Sequence, residues 1–211
     1  MDIVEGLVKA PRQERSRRSF DRALDAAVEL VVEKGTFTLA EVAERGGISV
    51  GVIYGRVKSK DDLLRTAHAR EMARLDSETA AAFADAAPPS ETLAQAVPRI
   101  VSTTAELLRA NAPVLRGFLR VADDDAIAAT GTASYFRLME AYTGALLAHR
   151  AEIDGDDPDD AVAWTFHVVF SMISRWLGLD SDSAAAFVGE WDDVVAKLTT
   201  TVHGYLRSSA R

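Results

Sequence analysis

Twenty residues near the start of the chain, 38–57, restrict what it can fold into more than any other stretch. They read TLAEVAERGGISVGVIYGRV, two short apolar-periodic runs parted by a glycine pair. Thr38 is a favoured helix N-cap, and Glu41 three residues later supplies the second half of a capping box. Phe37 and Val42 stand at the two positions of a hydrophobic staple. Ser49 repeats the start signal as a second N-cap, with Ile48 and Ile53 as its staple pair. Gly46 and Gly47 are free to adopt the positive φ of a sharp turn between helices. The expectation is a helix-turn-helix, a motif whose second helix most often lies in a DNA major groove.

Charge bears directly on that expectation. The 211 residues carry a formal net charge of −8, which taken whole disfavours a polyanionic partner. Its distribution is uneven: residues 1–65 carry a net +1 and residues 66–211 a net −9. Between 9 and 22 stand six basic residues, Lys9, Arg12, Arg15, Arg17, Arg18 and Arg22, against Glu14 and Asp21. From Arg45 to Lys60 there are four cations and no acid. Affinity for nucleic acid follows local cationic surface rather than the total, so contact is confined to the N-terminal end. Cysteine is absent, which excludes disulfides and thiolate chemistry and suits a reducing cytoplasm. No apolar run approaches the ~18 residues that span a bilayer, and the start has no signal-peptide core. The reading is a soluble cytoplasmic protein without a membrane partner.

The rest of the pattern is helical, and the expected fold is all-α. Residues 1–14, with Pro11, read as an arm, and the basic run from Arg12 to Arg18 as part of it. Phe20, Leu24, Ala27, Val28 and Val31 then repeat at helical spacing over 16–34, and Gly35 ends that run. Ser59 caps a long helix to about Ala84, with Asp62 completing a second capping box, and 87–90 (Ala-Pro-Pro-Ser) forms the break. Helical segments near 91–110, 113–121, 130–153, 158–179 and 183–207 follow, parted by turn signals at 111–113, 123–125, 154–158 and 178–182. This predicts a three-helix DNA-binding domain over 15–75 and a helical effector-binding and dimerisation domain over 76–211. The segments 158–179 and 183–207 are apolar on more than one side. The first has Val162, Phe166, Ile173, Trp164 and Trp176; the second has Phe187, Trp191, Leu198 and Tyr205. Helices of that kind need more than one partner, which points to a homodimer seam of four helices.

The run from Phe20 to Leu64 resembles the tetracycline-repressor (TetR) family of bacterial transcription regulators. The resemblance rests on Ala26-Ala27, Gly35, Thr38, Ala43, Gly47, Gly51, Tyr54, Lys60 and Leu63. Its most specific part is Gly-Ile-Ser-x-Gly-x-Ile-Tyr followed by a lysine six residues after the tyrosine. It implies a homodimeric, ligand-responsive repressor that binds a double-stranded operator. On that resemblance the helix 49–55 reads the major groove, Tyr54 and Lys60 contact phosphates, and Thr38 caps a helix aimed at the DNA backbone. Many relatives carry an aromatic where this chain has Gly55, a phenylalanine at Val57 and a polar residue near Val50. With Ile53 buried, Gly51 and Gly55 fall on the outer face with Val52 and Tyr54 beside them. That small surface predicts close approach, van der Waals contact from Val50 or Val52, and readout through DNA shape. Ser49, Arg17, Arg45 and Arg56 complete the expected DNA-contacting set.

An effector site is expected in the body, where ligand pockets between helices are mostly apolar with a few polar anchors. Phe118, Tyr135, Met139, Tyr142, Phe166 and Phe170 are its candidate walls and His167 its polar anchor, with release of the operator by a small, largely apolar molecule. The acids at 123–125 and 154–160 lack the register of a calcium loop and read as helix caps. His68, His149, His167 and His203 have no metal-ligand spacing, and no glycine-rich phosphate loop or nucleophile elbow is present, so neither a cofactor, a metal nor enzymatic activity is expected. The competing reading is a helical module whose hairpin binds protein instead of DNA.

Overall fold

Helix is the only regular secondary structure among the described residues of the computed structural model, which are 12–84, 90–121, 123–179 and 189–208. In order, these are α1 (Arg12–Lys34), α2 (Leu39–Gly46), α3 (Val50–Tyr54), α4 (Lys60–Ala82), α5 (Leu93–Leu119), α6 (Asp125–Leu147), a 3-10 turn (Arg150–Glu152), α7 (Pro158–Trp176) and α8 (Trp191–Leu206). The expected all-α class is what the chain adopts. It divides into two compact units, 1–68 and 69–211, and the division falls inside α4.

In the first unit α1 supplies the longest apolar face. Ala23, Leu24, Ala26, Ala27, Leu30 and Val31 are buried on it, and α2 and α3 pack against α1 and against each other. Phe37, Val42, Ala43, Ile53, Val57 and Leu63 are also buried. Five residues are far too few for an isolated helix to persist in water. The burial of Ile53, a contribution of about 1.5–3 kcal/mol, is what keeps α3 folded. Helix α1 starts earlier than its apolar pattern. Arg12–Arg18, expected as part of an arm, forms its first turns, where Arg18 pairs with Glu14 one turn back. The turns carry no apolar stripe because they have nothing to bury. The remainder of the expected arm, 1–11 with Lys9 and Pro11, lies outside the described residues.

In the second unit α5 runs through the middle and packs against α6, α7 and α8. Leu93, Val97, Ile100, Leu108, Leu138, Tyr142, Leu146, Val162, Phe166, Ile173, Trp191, Leu198 and Leu206 make up the bulk of its core. The turn expected at 111–113 is absent, and α5 continues through Pro98 and Pro113. Asn111, only 3% exposed, is held from three sides. Its amide donates to the Leu107 carbonyl (3.0 Å) and to Glu78 (3.0 Å), and its side-chain oxygen accepts from Arg74 (2.8 Å). Those bonds from α4 outweigh the one backbone hydrogen bond that a mid-helix proline removes.

Helix α6 begins at Asp125, ahead of the expected 130, because Asp124 caps it by accepting from the amides of Ala126 (3.0 Å) and Ile127 (3.2 Å). Asp157 does the same for α7, which opens on Pro158. Glu152 accepts from the Leu93 amide at the start of α5 (3.0 Å). Where α7 ends and α8 begins, Trp176 and Trp191 meet edge to face with centroids 4.8 Å apart. The Trp191 ring nitrogen donates to Glu106 (2.8 Å), and the Arg109 guanidinium sits 5.1 Å from its centroid. The expected break at 87–89, the start of the last helix at 183 and Phe187 lie outside the described residues. No described helix is long and apolar enough to cross a membrane.

Candidate nucleic-acid interface

The turn between α2 and α3 is built from short-range bonds. Thr38 Oγ1 accepts from the Glu41 amide (3.2 Å), and the Glu41 carboxylate accepts from the Thr38 amide (2.7 Å), so the capping box is complete. Phe37 and Val42, its staple pair, are both buried. Lys34 also donates to the Glu41 carboxylate, and these bonds hold it well below its ordinary range, at about 2. The N-terminus of α2 is therefore already met by an anion of the chain itself.

At the other end of α2 the two glycines have separate reasons. Gly47 takes φ +58°, and the bonds Gly47 N to Glu44 O (3.2 Å) and Ile48 N to Ala43 O (3.0 Å) close a Schellman turn. Gly46 stays helical, but a Cβ there would stand 3.1 Å from the Arg22 carbonyl oxygen of α1. Positive φ is thus needed at Gly47 alone. Ser49 occupies the N-cap position of α3 with extended backbone, yet its hydroxyl makes no capping bond. The short α3 begins instead on the Val52 amide bonding the Ser49 carbonyl (3.0 Å). Ser59 caps α4 through the Asp62 amide (3.0 Å), but the Asp62 carboxylate accepts from Lys58 (3.2 Å), one residue short of the expected box.

On α3, Ile53 points into the core and Tyr54 is 58% exposed. Gly51 and Gly55 are exposed, and Val50 and Val52 half-buried, so the outward surface is small, as the helical wheel requires. Beyond this helix the chain meets α1 at Arg56 and the α1–α2 connection at Lys60. Arg56 donates to Ser16 (3.1 Å), and its guanidinium lies 5.9 Å from the Phe20 centroid. Lys60 donates to Thr36 (3.1 Å) and stands 5.7 Å from the Phe37 centroid. Arg15, Ser16, Ser19, Gly51, Val52, Gly55 and Arg56 line a groove of about 330 Å³.

The cations of this unit fall into two sets. Arg18 pairs with Glu14, Lys34 with Glu41, and Arg45 with Glu33 (2.8 Å) and Glu29 (3.6 Å). Arg15, Arg17, Arg56 and Lys60 have no acid partner among the described residues. Arg45, expected beside the reading helix, is thus turned toward α1 carboxylates, which raise its pKa. It lines a separate, largely acidic groove with Glu33, Glu41 and Glu44. Ser16 and Ser19 escaped the sequence reading as site residues because nothing local marks them, and Arg15 entered it only as one cation of the basic run. Only the packing of α1 beside α3 brings them to Arg56.

In the second unit the structure joins most of the expected effector residues into one aromatic row. Tyr135 meets Phe170 (4.8 Å between centroids) and Phe166 (5.4 Å), and Phe166 meets Tyr142 (5.4 Å). The Tyr135 hydroxyl and His167 Nδ1 lie 2.8 Å apart. Tyr142 and Phe166 are fully buried, whereas Tyr135, Met139 and Phe170 are half-buried and His167 exposed. Burial raises the Tyr135 hydroxyl pKa and pushes that of Tyr142 well up, the latter against a bond to Thr165 (3.2 Å). Phe118 is buried near the end of α5. The hydroxyls of Ser134 and Ser174, also buried, make no hydrogen bond among the described residues. A lone serine within a helix gives no sequence signal of that kind.

Residues 23–67 match the family model for bacterial regulatory proteins of the tetR family. The fold is shared with solved structures over nearly its whole length. A chain from Mesorhizobium loti assigned to the TetR family of transcriptional regulators has TM-score 0.65 at 15% identity, over 91% of this chain and 96% of that one. Salmonella enterica GusR has TM-score 0.62 at 17% identity, over 96% and 100%. Bacillus subtilis FadR, solved in complex with stearoyl-CoA, has TM-score 0.60 at 16% identity, over 91% and 100%. Identities this low show a common fold. No curated protein matches the chain in sequence. The resemblance read from Phe20 to Leu64 therefore holds, and the helical body has the architecture found behind such an N-terminal segment.

Proposed function

We propose, from a chain whose residues 23–67 match the tetR regulatory family, that it is a homodimeric transcriptional repressor. It binds a pseudo-palindromic DNA operator and leaves it when a small, largely apolar effector occupies the body. One observation carries the DNA-binding part: the groove beside α3 holds two cations, Arg15 and Arg56, that no acid among the described residues neutralises, and Arg17 and Lys60 of the same unit also have no such partner. Arginine and lysine so placed fix a protein on phosphates, while the small face of Val50, Gly51, Val52 and Gly55 allows α3 to sit deep in the major groove. Tyr54 adds a phosphate contact and Thr38 orients α2 beside the backbone. Arg45 contributes charge that Glu29 and Glu33 largely offset. A dimer seam along α7 and α8 is supported by the exposure of Trp164 and Tyr205, 55% and 42%, on those two helices. The half-buried part of the aromatic row, with His167, is the candidate effector wall. Release follows if the ligand prefers a dimer geometry whose two reading helices no longer match successive major grooves.

Footprinting on duplexes selected from a random pool, repeated over a salt series, tests this reading. A protected pseudo-palindrome whose affinity falls steeply with salt is the expected result. No selected site, or binding indifferent to salt, sinks it in favour of a protein-binding hairpin.

A further inference from the structure

In the first turns of α1 the Ser16 hydroxyl accepts a hydrogen bond from Arg56 (3.1 Å), which lies just beyond α3. Four of the eight residues within four positions of Ser16 are arginine: Arg12, Arg15, Arg17 and Arg18. The one acid among them, Glu14, is paired with Arg18. Residues 14–18 are all exposed, and a helix end that buries nothing opens at little cost. The hydroxyl is therefore within reach of an enzyme that draws its target serine into an extended segment and recognises the cations around it. Ser19 also follows arginines, but it is half-buried, and Arg56 bonds to Ser16 instead.

The pairing of Ser16 with Arg56 is weak as it stands. A neutral hydroxyl occupies one donor of the guanidinium and leaves its charge whole. Arg15 lines the same groove, and neither arginine has an acid partner among the described residues. Elsewhere in this unit the chain answers cations with fixed carboxylates: Glu14 for Arg18, Glu41 for Lys34, and Glu29 and Glu33 for Arg45. A carboxylate at 16 would neutralise Arg56 permanently. A serine does so only while it carries a phosphoryl group, whose oxygens and charge of about −1.5 to −2 suit bidentate pairing with guanidinium forks.

We propose that Ser16 is a phosphorylation site for an arginine-directed serine kinase, and that the phosphoserine binds Arg56 and Arg15 and so takes both from the DNA. The donor is a nucleoside triphosphate. The Ser16 oxygen bonds to its terminal phosphorus, and the bond from that phosphorus to the bridging oxygen breaks. The nucleoside diphosphate leaves with the electron pair, and the hydroxyl proton passes to a base of the kinase. Hydrolysis by a phosphatase restores the serine. The site itself rests on α1 and Arg56 alone; its effect on operator affinity rests on the DNA-binding reading. The modification acts in two ways at once, tightening the tie between α1 and the end of α3 while the groove loses its attraction for a polyanion.

The test uses the full chain in three measurements. Exposed to an arginine-directed serine kinase with magnesium ATP, the wild type gains a phosphoryl group that fragment mass spectrometry places on Ser16, and Ser16→Ala gains none there. In chain synthesised with phosphoserine at 16, the phosphorus NMR titration has its midpoint below the ordinary value of about 6, and Arg56→Ala returns it toward that value. On a duplex selected for binding, the same phosphorylated chain loses affinity about a hundredfold at low salt against the unmodified chain, and its slope of log affinity against log salt falls by about 2. A phosphoryl group found only on other serines, or none at all, overturns the proposal. So does a midpoint that Arg56→Ala leaves in place, or a phosphorylated chain that binds the duplex as the unmodified one does. An unmodified chain that binds no duplex overturns the regulator reading instead, and the mass and phosphorus measurements judge the site without it.

Discussion

At position 41 one carboxylate gathers hydrogen bonds from the Lys34 ammonium, the Thr38 amide and the Thr38 hydroxyl. Its pKa of about 2 in the folded chain lies below the ordinary 4.5, so the ionised form is the one that folding favours. The resulting stabilisation is complete above 4.5 and disappears as pH falls toward 2. Glu41→Gln therefore melts at a lower temperature than wild type at pH 7, and the gap closes as both are melted at successively lower pH; a constant gap would show that the carboxylate charge is irrelevant. The glycines next to it separate two kinds of constraint. Gly47→Ala places a side chain at φ +58° and costs about 1–2 kcal/mol. Gly46→Ala forces α2 off the Arg22 carbonyl and costs a comparable amount, about 1–3 kcal/mol, by overpacking. Urea denaturation distinguishes both from a neutral surface change. Thr38 and Glu41 were legible in the sequence because their bonds span three residues. Ser49 and Asp62 were legible only as positions, since the choice between donors one residue apart depends on how the backbone turns.

Among the helices, α5 shows best what pattern cannot supply. Asn-Ala-Pro ordinarily ends a helix, yet here the side chains of Arg74 and Glu78, more than thirty residues away in sequence, help to hold Asn111 inside one. Asn111→Ala removes those bonds from a site 3% exposed. Arg74 and Glu78 still pair with each other, so neither is left wholly unsatisfied, and the expected loss is toward the lower part of about 1–3 kcal/mol. It is read from the urea midpoint of unfolding; a variant as stable as wild type means that apolar contacts alone carry α5 past Pro113. The aspartate caps of α6 and α7 were readable, again through local spacing. The helical start of α1 at Arg12 was not, because an exposed turn of arginine and glutamate has the composition of a tail.

For the molecule as a whole, the charge split assigned the unpaired cations to the first unit, and helical periodicity anticipated the larger helical unit that follows it in sequence. Which cations remain unpaired was hidden, because Arg45 and Arg56 are equal in sequence and differ only in what α1 sets opposite them. The same holds in the body, where an aromatic row was foreseeable but the buried hydroxyls of Ser134 and Ser174 were not. If α7 and α8 form the subunit seam, Trp164→Glu yields a monomer in sedimentation and loses operator affinity because one half-site contact remains; an unchanged dimer places the seam elsewhere. The tryptophans have one more consequence. The three in the chain are Trp164, Trp176 and Trp191, and all belong to the second unit. Intrinsic fluorescence excited at the indole band is therefore blind to the first unit. A denaturation curve recorded by emission follows the body alone, while far-ultraviolet dichroism follows every helix. If the two units melt separately, the two optical signals will part company, and the residual ellipticity will belong to a segment that emits no indole light.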